Sequence, residues 1–344
     1  MTVNEGELRL NSYSNRRIIQ IGIGGFGSRW IDIITRNSRW EYAALCDQSF
    51  ERLITINSIV GLPSTKLVTS MQAAIDVAPE ADTILISTPY FCHAEQAVMA
   101  LEAGKNVLIE KPLTDNSLDA KRILEVATTA GKAFMVNEDY RFREGAKRLQ
   151  EIVASGEIGN LEVIDLQYFV HHFFPKEDWR NKIKYPVLLE NNTHQFDLLR
   201  YVTGKEVMQV SAKAFPTQSL SPWKYPSVVG WLTMEGGLHV TFSSSWAYKE
   251  MKTPWEGAWT IRGTNGSIRW DENGISTFKR DKYSRIEEIK SVVSLEAVLD
   301  EFTSALDDER VPSVDLKDNI KTLNIILGII KASEQGTIVN INNN

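Results

Sequence analysis

The first 137 residues alternate between short apolar runs and longer amphipathic stretches, with glycine, proline or charge closing most of them. Ile18-Ile19-Gln20-Ile21, Glu41-Tyr42-Ala43-Ala44-Leu45-Cys46, Ile84-Leu85-Ile86-Ser87, Asn106-Val107-Leu108-Ile109 and Ala133-Phe134-Met135-Val136 read as strands. Between them, residues 28–35, 51–60, 93–103 and 117–130 read as helices, and Gly61, Gly104 and Gly131 stand just past three of them as stop signals. Repeated strand–helix units of this length imply a parallel sheet with right-handed crossovers. The pattern predicts an α/β, doubly wound Rossmann domain over residues 16–137, after a polar leader at 1–15.

From residue 138 the pattern changes. A helix over 144–154 precedes longer alternating stretches at 161–170, 208–215, 228–234, 238–248, 258–262 and 266–270. Glu235-Gly236-Gly237 and Gly263-Thr264-Asn265-Gly266 read as hairpin turns. Residues 138–344 are therefore expected to form a C-terminal α+β domain with an open, mainly antiparallel sheet. Trp231, Trp246, Trp255, Trp259 and Trp270 concentrate there, and such aromatic residues pack a core or a subunit interface. Two late helices, 295–306 and 316–332, are expected to pack back on the first domain.

Composition narrows the partners. At 344 residues two domains are the natural division. A net charge of −6 with no basic block disfavours nucleic acid and anionic membrane. Cys46 and Cys92 are too few for a disulfide framework and are expected to be reduced. Residues 1–17 carry no signal-peptide core, and the apolar run at 323–330 is too short to span a bilayer. A cytoplasmic location is the expectation.

Candidate chemistry starts at Gly22-Ile23-Gly24-Gly25-Phe26-Gly27, a Gly-x-G-x-x-Gly between a strand and a helix. Gly22 allows the tight turn, Gly24 lets the backbone approach a pyrophosphate, and Gly27 permits close helix–strand packing. Asp47 ends the next strand, 20 residues after Gly27, where a carboxylate accepts hydrogen bonds from an adenosine ribose. A carboxylate repels a 2′-phosphate, and Arg52 is the nearest arginine, so NAD is favoured and NADP less so. Thr88, Pro89 and the Glu110-Lys111-Pro112 turn fall at strand ends on the same rim, and His93 lies just past it. Lys111 there is either a surface charge or a group aimed into a crevice.

In the second half, residues 187–202 read as one helix on which Glu190, His194 and Asp197 stand at i, i+4 and i+7, projecting from one face. The stripe is either a solvated face with a Glu–His pair or a histidine oriented by carboxylates for proton transfer. His171, His172, His93 and His239 offer no recognised metal-ligand spacing, so no metal is expected.

Taken in order, the glycine loop, Asp47, Thr88-Pro89, His93 to Lys105, Glu110-Lys111-Pro112 and Glu190/His194/Asp197 resemble the glucose–fructose oxidoreductase/inositol dehydrogenase (Gfo/Idh/MocA) family over residues 18–341. The resemblance implies NAD(P)-dependent oxidation of a secondary alcohol on a sugar, cyclitol or related polyol, and homodimer or homotetramer contacts through the C-terminal sheet. It implies that Lys111 hydrogen-bonds the reacting hydroxyl, His194 accepts its proton and Glu190 binds or orients the substrate. Arg141 is a further candidate for substrate contact. The cofactor side would take Gly22, Gly24, Gly25, Phe26, Gly27, Asp47, Thr88, Pro89, His93 and Glu110. Glu190 stands where the family often carries aspartate. Some relatives are NAD-dependent glycosidases and others sugar- or dinucleotide-sensing regulators, so both remain alternatives.

Overall fold

The computed structural model describes residues 15–217, 221–279, 282–287 and 295–343. The first half builds six parallel strands: β1 (Arg16–Ile21), β2 (Trp40–Cys46), β3 (Leu67–Val68), β4 (Thr83–Ile86), β5 (Asn106–Glu110) and β6 (Phe134–Asn137). Their spatial order is β3-β2-β1-β4-β5-β6. The order reverses between β1 and β4, so a crevice opens beyond the carboxyl ends of those strands. Helices α1 (Gly27–Arg36), α2 (Phe50–Val60), α3 (Met71–Val77), α4 (His93–Glu102) and α5 (Ser117–Ala130) accompany the strands. Strands covered on both sides need apolar residues at successive positions, and Ile18, Ile19, Ile84, Leu85, Ile86, Val107, Leu108 and Ile109 are all buried. The Ser49 and Asn116 side chains cap α2 and α5, and Gly61 and Gly131 close them in left-handed geometry. β3 and α3 were not foreseen. A two-residue strand and a seven-residue helix are too short to show a period.

The second half contains α6 (Glu144–Ala154), β7 (Leu161–Phe169), α7 (Thr193–Thr203), β8 (Val207–Phe215), β9 (Ser227–Met234), β10 (His239–Ser245), β11 (Ala258–Gly263), β12 (Gly266–Asp271), β13 (Gly274–Lys279) and β14 (Lys282–Glu287). Helices α8 (Leu295–Asp307) and α9 (Leu316–Gln335) and the short β15 (Val339–Asn340) follow. Among the described residues the sheet has nine strands, in the order β14-β13-β12-β11-β7-β10-β9-β8-β15. All neighbours are antiparallel except β7 and β10, which run parallel. The two expected hairpins join β9 to β10 and β11 to β12. β13, β14 and β15 lay outside the expectation.

Ile164, Leu166, Val210, Leu232, Val240, Phe242, Ile261 and Ile268 belong to one core with Phe196 of α7 and Ile325, Ile326 and Ile329 of α9. Alternation leaves Val229 and Trp231 exposed, and the register shift at the start of β8 exposes Met208. The late helices behave differently from one another. α8 joins the first core through Leu295, Val298, Leu299 and Phe302, whereas α9 places Leu316 and Leu323 in the first core and its later turns in the second. A helix of 20 residues is about 30 Å long, enough to reach both. Among the described residues no helix is long and apolar enough to cross a membrane, and Cys46 and Cys92 are both free.

Candidate active site

A cleft of about 1400 Å³ is lined by residues of both halves. Sites for one drug-sized ligand run to about 300–1,000 Å³, so this one has room for a dinucleotide and a second small molecule. On the β1 side, Gly22 has φ +85°, and a Cβ there would lie 2.8 Å from the Ser87 main-chain oxygen. A Cβ on Gly27 would lie 2.4 Å from the Gly22 oxygen, whereas one on Gly24 would meet nothing nearer than Arg52 Nη1 at 3.8 Å. The first and third glycines thus close the turn, and the second leaves its face open. The amides of Gly24, Gly25 and Phe26 have no acceptor among the described residues, which leaves them free for an anion at the start of α1. These features fit a dinucleotide pyrophosphate.

Asp47, just past the end of β2, lines the same cleft. Its Oδ2 accepts the Ile23 N–H and its Oδ1 the Ser49 N–H, both at 2.9 Å, and Arg52 Nη1 reaches both oxygens. Thr88 and Pro89 line the same cleft, with Thr88 Oγ1 donating to Gln96 Oε1 at 2.6 Å. His93 does not line it. Its ring is fully buried beneath the rim, with Nδ1 and Nε2 each 2.9 Å from the carbonyls of Pro112 and Thr88, so it ties two rim segments together. Glu110 reaches the cleft edge but is held from behind by Trp30 Nε1 and Asn137 Nδ2, each donating at 2.8 Å. Burial pushes its carboxyl up to about 7.

Lys111 directly follows β5 and precedes Pro112 with a cis peptide bond, and its Nζ donates to the main-chain oxygen of Glu190 at 2.6 Å. This contact joins the two halves at the cleft. The expected helix over 187–202 is not continuous: Leu188–Asn192 forms a π-helical turn, and α7 begins only at Thr193. The wider turn changes the angular offset on which the one-face reading depended. Glu190 and His194 both line the cleft, whereas Asp197 is fully buried and does not. Arg141, expected near substrate, is also absent from the lining. Its Nε and Nη2 grip the two oxygens of Asp197 at 2.5 and 2.6 Å, and Nη2 also donates to Asp318 at 2.6 Å. Burial pushes the Asp197 carboxyl up to about 6 against the pull of Arg141.

Around His194 the structure adds groups that the sequence reading did not select. Nδ1 lies 2.6 Å from Glu138 Oε2, and Nε2 lies 3.9 Å from Asp139 Oδ1. The Tyr140 ring stacks on the imidazole at 4.0 Å and 6°. Arg143 donates to Asp139 at 3.1 Å and to Glu256 at 2.7 Å, with its guanidinium 3.5 Å from the Tyr140 ring centroid. Burial, reinforced by the positive charge of Lys111, holds the imidazole down to about 3, so it is neutral at physiological pH. Glu138 and Asp139 directly follow β6. The strand-end rule that picked Asp47 and Lys111 was the signal for them.

His172, Phe174, Trp179, Trp246 and Trp255 also line the cleft. The His172 ring lies 4.3 Å from Trp246 and 5.6 Å from Trp255, and burial holds it down to about 4. Among the described residues no group of three His, Cys, Asp or Glu side chains is placed to hold a metal ion.

Comparison with known proteins gives consistent matches along the chain. Residues 16–138 match the model for an oxidoreductase family with an NAD-binding Rossmann fold, and residues 146–269 match the GFO/IDH/MocA C-terminal domain. The chain is similar to 1,5-anhydro-D-fructose reductase of Ensifer adhaerens, at 24% identity over 93% of this chain and 97% of that protein. It is similar to inositol 2-dehydrogenase of Corynebacterium glutamicum (strain R), at 30% identity over 60% of this chain and 59% of that protein. Its fold is similar to that of an Agrobacterium radiobacter oxidoreductase in complex with NAD+, L-tartaric acid and magnesium. That likeness has a TM-score of 0.87 and 18% identity, and covers 95% of this chain and 98% of the other.

Proposed function

This chain belongs to the Gfo/Idh/MocA oxidoreductase family and is an NAD(P)-dependent dehydrogenase, and from that premise we propose that it oxidises a secondary alcohol of a sugar, cyclitol or related polyol. The observation that carries this reading is the convergence of Lys111, from the first half, with Glu190 and His194, from the second, in the cleft that the glycine loop borders. When bound, the nicotinamide accepts the hydride of the carbinol carbon. A proton must leave the hydroxyl in the same reaction, and His194, neutral and buried at the cleft, is the acceptor. Lys111, a strong three-proton donor, hydrogen-bonds the reacting oxygen, and Glu190 orients the substrate. Aromatic rings lining the cleft, such as Trp179 and Trp255, suit the C–H surface of a carbohydrate ring, and the names of the sugar and inositol relatives support that substrate class.

A panel of sugars and cyclitols, screened for absorbance of reduced nicotinamide, tests the reading. Net NADH release supports the dehydrogenase. Sugar release with tightly held, recycled NAD would assign the glycosidase chemistry instead, and binding without either product a sensor.

NAD rather than NADP is the proposed cofactor, because the Asp47 carboxylate in the cleft would repel a 2′-phosphate. Asp47→Ala is expected to weaken NAD binding about tenfold or more, since a hydrogen bond to a charged group contributes roughly 1.5–3 kcal/mol. An unchanged dissociation constant by calorimetry would contradict the ribose contact. We further assign the exposed Met208, Val229 and Trp231 face to homodimer or homotetramer contacts. Trp231→Asp should then lower the mass seen by light scattering, and a wild-type chain that is already monomeric would refute the assignment.

A further inference from the structure

Behind His194 lies a carboxyl that the proposed reaction has not used. Glu138 is 1% exposed, and its Oε2 faces His194 Nδ1 at 2.6 Å. The two atoms sit off the axis of a full hydrogen bond, and neither has a hydrogen-bond partner among the described residues. Glu138 Oε1 accepts from Asn319 Nδ2 of α9 at 3.3 Å, and the Tyr140 ring fixes the imidazole plane. A buried polar atom without a partner is costly, so two such atoms at this separation are stabilised by sharing one proton.

We propose that Glu138 is a positioning and relay residue for His194, taking the Nδ1 proton as Nε2 receives the proton of the substrate hydroxyl. The proposal rests on the reading of His194 as the proton acceptor. In the oxidation the substrate O–H bond breaks and Nε2–H forms. The Nδ1–H bond breaks and an O–H bond forms on Glu138, while the carbinol hydride leaves with its electron pair to NAD+. The imidazole ends neutral, in its other tautomer, and the carboxylate ends as a carboxylic acid. Reduction runs the same transfers backwards.

The surroundings favour this route over a lasting imidazolium. Lys111 and Arg141 lower the proton affinity of Glu138, as does Asn319, and Asp139 raises it; burial outweighs them and moves the carboxyl up to about 8. His194 faces Lys111 and Arg143 as cations and Asp139 and Asp197 as anions, and burial again dominates by disfavouring the charged ring. A proton left on His194 would be a buried cation beside two others. Passed to Glu138, it neutralises a buried anion.

The sign of the pH dependence follows. Oxidation needs Glu138 ionised, so turnover of the NAD-saturated enzyme should rise with pH through about 8. Glu138→Gln cannot take a proton. It is expected to lower kcat roughly tenfold to hundredfold with KM changed by less than about twofold, and to flatten that limb between about pH 6 and 9. The assay uses the polyol of the panel that gives the largest NADH signal. A second readout needs no substrate: imidazole nitrogen shifts of ¹⁵N-labelled, NAD-saturated protein. In wild type the His194 proton should move from Nε2 below about pH 8 to Nδ1 above it, and Glu138→Gln should abolish the swap. Glu138→Asp retains a titrating carboxyl and should keep the limb at reduced kcat.

A Glu138→Gln enzyme with the wild-type limb and the wild-type tautomer swap overturns the relay. If His194→Ala is inactive at the same time, the relay alone has failed. If His194→Ala turns over normally, the proton-acceptor reading has failed with it. Should Glu138→Gln not fold, the absence of a tautomer swap in wild type overturns the proposal by itself.

Discussion

Lys111→Ala and His194→Ala are each expected to lower turnover by about 10²–10⁴-fold, the range that a positioned acid–base group contributes, while NAD affinity stays nearly unchanged. The separation follows from geometry. The amides of Gly24, Gly25 and Phe26 and the Asp47 carboxylate belong to the β1–α1 and β2–α2 turns, and neither Lys111 nor His194 is a hydrogen-bond partner of these groups. Lys111 also donates to the Glu190 main chain across the two halves, so its loss frees an acceptor on the π-helical turn as well as removing the donor proposed for the reacting oxygen. Steady-state rates with the identified polyol and calorimetry with NAD measure the two quantities separately. Wild-type turnover in either variant would sink the role assigned to that residue. Equal losses of turnover and of NAD affinity would mean that the substitution had disturbed the fold.

Asp197→Ala is expected to be the most destabilising of these substitutions, at about 3–5 kcal/mol, because it strands part of a buried guanidinium. Arg141 makes two hydrogen bonds to Asp197, and Asp197 is fully buried with Thr322 3.3 Å away. Asp318 remains for Arg141, but it is already shared with Arg200. The clamp holds the turn after β6 against α7 and α9, so its loss should also loosen His194. Thermal melting should fall by roughly 5–10 °C for a chain of this size. A paired replacement of Arg141 and Asp197 by leucine should cost less than the two single changes summed, since it removes both charges. A single-variant melting temperature within about 2 °C of wild type would show that the pair contributes little.

The parts of this protein that were legible in the sequence are those set by local geometry. A glycine loop between strand and helix, an acid 20 residues on and a lysine before a proline all follow from short-range rules, and each stands at the carboxyl end of a parallel strand. Once the alternation implies a parallel sheet, these positions share a rim without further information. The turn residues of the second sheet were readable for the same reason, whereas β13 and β15 were not. Ser276 and Thr277 interrupt the apolar signal of one, and the other is two residues long.

What the sequence could not specify was decided by contacts between distant segments. Arg141 with Asp197, and Glu138 with His194, are both separated by 56 residues, and both pairs join the turn after β6 to α7. On a regular helix Glu190, His194 and Asp197 would have shared one face. In the structure Glu190 stands on a π-helical turn, invisible to a 3.6-residue period, and still lines the cleft with His194, whereas Asp197, on the regular part of α7, is buried against Arg141. His93 was likewise drawn under the rim by two carbonyls that only the folded chain brings together. By itself the sequence determined which residues stand at the strand ends and singled out Lys111 and His194 as candidates, because residue type and position within a strand or helix suffice for that. The tertiary structure alone decided which carboxyl stands behind the histidine and which arginine is locked away. Burial and the meeting of remote side chains set both, and neither leaves a local trace in the chain.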